Sequence, residues 1–296
     1  MSYHFFKILL RTVGAMPFAV LYAVSDVLGF VLYHIVRYRR KVVRNNLVEC
    51  FPEKSQCELK QIEKEFYRNF TDYILETCKM GSMSDEEISR RMKFTNVEKV
   101  NKVLRDGRSV ALYLGHIFNW EWISSMPIHL VKGAVTAQIY HKLSNPAADR
   151  LMLEGRASHG ATNVEMHKTA RFITEVIGEG KSIITGFIAD QSPRRKDIKH
   201  YVPFLNHRTP VNNGTEKIAR HYDFDVWYIY TRKVKRGYYE ATYIHMESDP
   251  SSMPLNRLTE LYYEHLERNI RQEPSLYLWT HRRFKFAEVI GSSNTH

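Results

Sequence analysis

Apolar and polar positions along the 296-residue chain fall into three regimes. Residues 12–36 (TVGAMPFAVLYAVSDVLGFVLYHIV) carry a single formal charge, Asp26, over the length of a bilayer-spanning helix. Residues 54–80 place Leu59, Ile62, Phe66, Phe70 and Ile74 at helical spacing among charges, which predicts an amphipathic helix. A short helix is expected after Asn96, stopped by Gly107. Beyond it the pattern changes to apolar runs of strand length at 109–114 (SVALYL), 134–140 (AVTAQIY), 182–188 (SIITGFI) and 224–230 (FDVWYIY). Helical stretches alternate with these runs at 120–131, 146–158, 169–177 and 213–221. That alternation predicts an α/β fold with a mostly parallel sheet, flanking helices and right-handed crossovers. Residues 238–245, following Arg236-Gly237, read as a hairpin partner, and a last amphipathic helix at 255–271 ends before Pro274. No repeat, Gly/Ser tract or low-complexity block interrupts residues 83–286. The expected organisation is therefore a membrane-associated segment with a basic flank, residues 1–45, followed by one α/β domain, residues 46–296.

The apolar segment is too long for the core of a signal peptide, and no small-residue cleavage site follows it. A mid-helix Asp costs roughly 2.5–3.5 kcal/mol on insertion scales, so two arrangements stay open: a marginal single span, or a hairpin or interfacial helix lying in the membrane surface. Arg37, Arg39, Arg40, Lys41 and Arg44 follow it, against only Lys7 and Arg11 before it. If the segment spans, this bias leaves the rest of the chain in the cytoplasm. Even without a span, each such cation gains about 1 kcal/mol near anionic lipid headgroups. A buried helix of a soluble domain is the alternative, but such helices rarely run this long without a polar face.

Composition narrows the partners. With 43 Lys+Arg against 32 Asp+Glu the formal net charge is +11, which favours anionic partners. The 44% hydrophobic content excludes a disordered chain, and a mean hydropathy of −0.40 excludes a polytopic transporter. Cys50, Cys57 and Cys78 are odd in number and lie near no zinc-like spacing, so free buried thiols in a reducing compartment and no metal are expected. The charge and the 18 Tyr, 15 Phe and 4 Trp superficially suit an RNA-binding or membrane-scaffolding protein without catalysis. No RNA-recognition, zinc-knuckle or helix-turn-helix signature supports that reading, and no nucleic-acid partner is expected.

In an open parallel sheet, ligands bind at the carboxyl ends of strands. The first strong strand runs into YLGHIFNWEW, which puts His116 just past the strand and Glu121 five residues on, early in the next helix. On one continuous helix the two would lie about 140° apart, so they meet only if His116 precedes the helix. A loop His facing a helical Glu has the geometry of a base and its orienter: the carboxylate fixes the tautomer while the other nitrogen takes a proton from a hydroxyl. A locally satisfied strand-end His is an equally ordinary outcome of this spacing.

The His-x-x-x-x-Glu block after a strand, in a basic chain with an N-terminal apolar segment, resembles the lysophospholipid acyltransferase superfamily. More narrowly, the chain resembles the bacterial late acyltransferases of lipid A biosynthesis, of lauroyl or myristoyl type. The resemblance is carried further by Ala189-Asp190-Gln191, Val202-Pro203-Phe204, Gly214-Thr215 with Ile218-Ala219-Arg220, and the terminal Tyr277-Leu278-Trp279-Thr280-His281-Arg282-Arg283-Phe284. It implies a glycerol-3-phosphate acyltransferase-like fold and transfer of a fatty acyl group from acyl carrier protein, or coenzyme A, to a hydroxyl of a lipid A precursor. It also implies His116 as general base, Glu121 as its orienter and Arg156 as the oxyanion donor, with no cofactor and no covalent intermediate. Acidic acyl carrier protein, anionic membrane lipids and the lipid acceptor are the implied partners, at the cytoplasmic face of the bacterial inner membrane. Relatives of the same superfamily that act on ornithine or glycine lipids, or on mannosylated phosphoinositides, share the dyad and leave the acceptor open.

Several secondary sites are expected. Asp190 and Gln191 end another strand and suit either substrate positioning or a strand-end cap. Arg194, Arg195 and Lys196 form a basic run beside them, either a solvated face or a contact for phosphates. His281, Arg282 and Arg283 make the same case near the C-terminus, with His281 also a possible second base. Asn212, Asn213, Gly214 and Thr215 read mainly as helix capping.

Overall fold

The computed structural model describes residues 3–290, so residues 1–2 and 291–296 of the two expected segments lie outside the described residues. Helices α1 (Tyr3–Ala15), α2 (Phe18–Phe30), α3 (Arg40–Cys50), α4 (Gln56–Met80) and α5 (Asp85–Arg91) lead into strand β1 (Met92–Thr95) and α6 (Val97–Arg105). Then follow β2 (Val110–Leu114), a 3-10 segment Trp120–His129, β3 (Val135–Tyr140), α7 (Pro146–Ala157), β4 (Thr162–Glu165), α8 (Thr169–Gly178) and β5 (Ile183–Ile188). The chain closes with β6 (His200–Phe204), β7 (His207–Val211), α9 (Gly214–His221), β8 (Asp225–Lys235), β9 (Tyr238–Glu247), α10 (Arg257–Gln272) and β10 (Glu288–Val289).

Seven strands form the main sheet in the order β1-β9-β8-β2-β5-β3-β4, and β10-β7-β6 form a small antiparallel one. Only the β8–β9 pair of the main sheet is antiparallel, as the turn at Arg236-Gly237 predicts; Gly237 there holds φ +74°. The other pairs are parallel, in line with the α/β expectation. From β2 the chain builds β3, β4 and β5 on one side, then crosses to add β8 and β9 on the other. The reversal falls at β2, where the crevice rule puts a ligand. Every residue of β2 is buried, which explains its unbroken apolar run.

Three elements differ from the expectation for physical reasons. The apolar segment is not one helix: Pro17 divides α1 from α2, which continues through a π-helical turn, Val31–Ile35. The stretch at 120–131 is a 3-10 segment, because Pro127 removes a donor and the Ser124 and Ser125 hydroxyls bond the carbonyls of Glu121 and Trp122 three residues back. Of the three free cysteines only Cys50 is buried, Cys57 being exposed in the first turn of α4.

The long helix α4 organises the N-terminal half. It starts at a capping box, Ser55 and Glu58 exchanging hydrogen bonds at 2.8 and 3.3 Å, worth about 1 kcal/mol. Helix α2 lies against it through Leu21, Ser25 and Gly29, one stripe of four-residue spacing whose small members let the helices approach. Ser25 donates to Asp72 at 2.7 Å, and the Tyr22 hydroxyl donates to the fully buried Glu76 at 2.9 Å. Asp26, the charge that stood out in the sequence, accepts two hydrogen bonds from Arg236 of the β8–β9 turn at 2.8 and 3.0 Å, and Arg236 also bonds Asp72. The opposite face of α2, including Val20, Val24, Val27 and Phe30, is exposed.

Candidate active site

Strands β2 and β5 are neighbours, with Leu114 opposite Ile188. Continuing that register two residues past both strands brings His116 beside Asp190, and the side chains meet there. His116 Nδ1 lies 2.6 Å from Asp190 Oδ1, and the His116 backbone N–H donates to Oδ2 at 3.2 Å. Two adjacent tyrosines of α10 hold the strand ends: Tyr262 donates to the Leu114 carbonyl at 2.7 Å and Tyr263 to that of Ala189 at 3.0 Å. Gly115 permits the close packing, because a Cβ there would run into Leu266 of α10.

Asp190 is buried, which alone would raise its carboxyl. The two hydrogen bonds of His116 and the charge its ring bears when protonated, with the charge of Arg283 behind, outweigh burial and hold the group below the usual carboxylate range. Asp190 thus stays ionised and accepts, so Nδ1 of His116 carries a proton and Nε2 presents its lone pair. The Gln191 amide lies 3.2 Å from that nitrogen and donates to it, and Trp120 packs edge-on to the imidazole at 4.9 Å.

The expected pairing of His116 with Glu121 is replaced. Glu121 accepts both arms of Arg156, from Nε at 2.7 Å and from Nη2 at 2.6 Å, and a third bond from the Trp120 indole at 3.0 Å. The carboxylate thus pairs with α7 and not with His116. Arg156 is largely buried, which works against its cation, but the bonds and charge of Glu121 push its pKa up. The Arg156 Nη1 donors have no hydrogen bond to any described residue. Next to the pair lies a cavity of about 50 Å³ walled by Leu114, Ile123, Met126, Ile139 and Ile188.

The C-terminal block is a strap across the site. The Phe118 N–H donates to the Leu276 carbonyl at 3.0 Å, and the Leu278 N–H to that of His116 at 3.2 Å. Asn46 of α3 bonds the carbonyls of Trp279 and His281, and Arg39 that of Thr280. His281 Nε2 accepts from the Ser192 N–H at 3.3 Å, and burial lowers its pKa to about 4. That lone pair is the one a second base would have to offer. For Arg283 both a solvated face and a phosphate contact stood open, and it is neither exposed nor facing a crevice: it is 1% exposed, donating to Tyr263 at 2.9 Å and to the Pro210 carbonyl at 3.1 Å. Arg282, Arg195 and Lys196 are exposed, while Arg194 pairs with Asp197 at 2.6 Å. Near the capping stretch, the Gly214 N–H opening α9 donates to the Asn212 side chain at 2.9 Å, whereas Asn213 bonds Asn256. Among the described residues no three His, Cys, Asp or Glu side chains gather as a metal site would.

The structure thus brings together His116, Asp190, Gln191 and His281, and separately Glu121 with Arg156. Missing from the sequence reading were the Asp190 partnership, Trp120 and the clamp of Arg39 and Asn46. The signal for the first was the matching position of two polar residues just past two strands.

A two-sided α/β sheet with an imidazole–carboxylate pair at its switch point and a bound guanidinium nearby is an arrangement suited to transfer onto a hydroxyl. Residues 2–286 match the family described as bacterial lipid A biosynthesis acyltransferase, and the chain belongs to that family. It is similar to the lipid A biosynthesis lauroyltransferase of Escherichia coli K12, with 23% identity over 91% of this chain and 87% of the relative. The palmitoleoyltransferase of the same pathway in that strain is 21% identical over 94% of this chain and 89% of its own length. A lipid A biosynthesis acyltransferase of Haemophilus influenzae is 21% identical, over 93% and 84% respectively. The chain is therefore an acyltransferase, which displaces the non-catalytic RNA-binding or scaffolding alternative.

Proposed function

We propose that this acyltransferase moves a fatty acyl chain from a thioester, borne by acyl carrier protein or coenzyme A, to a hydroxyl of a lipid A precursor. The observation that carries the mechanism is the His116–Asp190 pair, whose Nε2 lone pair meets, among the described residues, the exposed Gln191 amide. Gln191 gives way to the acceptor hydroxyl, whose proton passes to Nε2 as its oxygen attacks the thioester carbon. Asp190 holds the resulting imidazolium, a role of orienter that the sequence reading gave to Glu121. The tetrahedral oxyanion is met by Arg156, aimed by Glu121 and with its Nη1 unbonded among the described residues. Collapse breaks the C–S bond, and the imidazolium returns its proton to the departing thiolate. The route draws on no cofactor and forms no acyl-enzyme.

The same reading places residues 1–45 at the membrane and residues 46–296 as an acyltransferase domain of glycerol-3-phosphate acyltransferase-like fold. Support comes from Phe18–Ile35, which is long and apolar enough to cross a membrane but only 22% buried. The stripe of Leu21, Ser25 and Gly29 faces the protein and the apolar face of Val20, Val24, Val27 and Phe30 points outward, the reverse of a soluble surface helix. With Asp26 held by Arg236, the helix lies in the interface at the cytoplasmic face of the bacterial inner membrane. The exposed Arg195, Lys196 and Arg282 sit on segments bordering the site, where an acidic carrier protein would approach. The test is incubation of the full chain with a lipid A precursor and each thioester in turn, followed by mass spectrometry. A product heavier by one acyl group supports the proposal; no product with either donor overturns it.

A further inference from the structure

A second concave site, away from His116, lies between α3 and α4. It is a cavity of about 520 Å³ lined by Arg37, Arg40, Lys41, Arg44, Lys60 and Glu63. Five cations face one carboxylate there, a net charge of +4. The carboxylate is committed: buried Glu63 accepts from Arg40 Nε at 2.7 Å and pairs with Arg44 at 3.5 Å. Arg40 is fixed further by the Tyr33 hydroxyl at 3.0 Å and by stacking over that ring at 4.2 Å. Arg37, Lys41 and Lys60 have no carboxylate partner among the described residues, and all three are exposed. Five like charges gathered around one carboxylate that is already paired are unfavourable, so the cavity suits an anion.

Backbone geometry points the same way. Arg37 and Arg39 both occupy the left-handed region, φ 54° and 50°, which costs non-glycine residues energy. The loop is held by the Tyr67 hydroxyl on the Tyr38 carbonyl at 2.6 Å and by Arg39 on that of Thr280 at 2.9 Å. Its result is to turn Arg37 to the cavity and Arg39 to the strap beside His281. Ile35, Val36 and Tyr38 are exposed next to it, an apolar ledge continuous with the outer face of α2. A cationic hollow edged by an apolar ledge fits a phosphate that is attached to a lipid better than a broad acidic protein surface.

We infer that the hollow of Arg37, Arg40, Lys41, Arg44 and Lys60 binds the phosphate of a lipid at the membrane surface. The source is either the phosphorylated acceptor itself, in which case the inference rests on the proposed function, or the headgroup of a surrounding phospholipid. Lys41 and Lys60 make no hydrogen bond or ion pair among the described residues, so Lys41→Gln with Lys60→Gln tests the site in the full chain. Unfolding midpoints confirm that the variant is folded. The KM for a phosphorylated lipid A precursor is measured beside that for the same precursor after phosphatase treatment. Sedimentation with phosphatidylcholine vesicles, with and without phosphatidic acid, is measured in parallel.

If the acceptor is the source, KM for the phosphorylated precursor rises about tenfold, kcat stays within about twofold, and the stripped precursor is unaffected by the substitutions. If a headgroup is the source, retention on phosphatidic acid vesicles falls about tenfold while retention on phosphatidylcholine alone is unchanged. Lys41→Arg with Lys60→Arg restores either effect. Unchanged KM and unchanged retention overturn the inference, as does a rise confined to the KM of the carrier-protein thioester. An inactive wild-type chain would sink the proposed function instead, while the vesicle measurement would still decide this site.

Discussion

Replacing Asp190 with Asn retains an oxygen able to accept from His116 Nδ1 but removes the charge that steadies the imidazolium. The contact is 2.6 Å between heavy atoms, which places the two charge centres about 4 Å apart. At an effective dielectric of about 20 that pair is worth about 4 kcal/mol in the charged state, and close to nothing when the ring is neutral. Because the imidazolium exists only along the reaction path, the whole difference falls on the barrier, about three decades in rate. Asp190→Asn is therefore expected to lower kcat about 1,000-fold with little change in the KM of either substrate. Thiol release from the acyl thioester reports the rate, and an unfolding curve checks that burying Arg283 without its neighbouring charge has not unfolded the protein. A folded Asp190→Asn enzyme within about tenfold of wild-type kcat would refute the assignment. The refutation would be sharper if Glu121→Gln, whose bonds go to Arg156, proved the more damaging of the two.

Glu121 and Arg156 should behave as a unit. Either single substitution to Gln leaves a buried charge and costs about 3–5 kcal/mol of stability, while the double variant costs less than the sum by about 2 kcal/mol, measured by urea denaturation. Additive losses would mean that the pair is not coupled. For His281, the folded pKa of about 4 lies below the ordinary imidazole value, so the unfolded chain takes up its proton first as pH falls. Stability is expected to decline from about pH 6.5 to about pH 4 on its account and level off below, and His281→Gln should flatten that stretch of the urea midpoint against pH. At the membrane, Val27→Glu with Phe30→Glu alters only the outward face of α2 and should move the protein into the soluble fraction, with the unfolding midpoint preserved. Full retention would assign the anchoring to another surface.

The sheet was largely legible in the sequence because its strands are buried on both faces and read as short apolar runs with clear ends. The runs at 109–114, 134–140 and 182–188 correspond to β2, β3 and β5 within a residue. Strands β1 and β4 escaped notice, being four residues each with polar positions among them, and so did the β6–β7 hairpin, whose pattern is interrupted by His200, Pro203 and Pro210. The residues of the site were legible but their pairing was not. Glu121 was the carboxylate near His116 in sequence, yet Asp190, 74 residues on, is the one that reaches it. That neighbourhood depends on β5 inserting between β2 and β3, a choice of strand order that no local pattern encodes. Charge led the reading in the same direction: Arg283 looked like a phosphate contact because it stood in a basic run, whereas α10 buries it against Tyr263. Asp26 likewise looked like a cost in a membrane helix until Arg236, 210 residues away, supplied its partner.

The most direct test of the account is single-turnover acyl transfer to a lipid A precursor by the wild-type chain and by a folded His116→Gln variant. The account predicts a product heavier by one acyl group from the wild-type chain and a rate lower by about 1,000-fold or more from the variant, with no acyl group left on the protein in either case. Transfer at the wild-type rate by folded His116→Gln, or an acylated protein on the path to product, would contradict it.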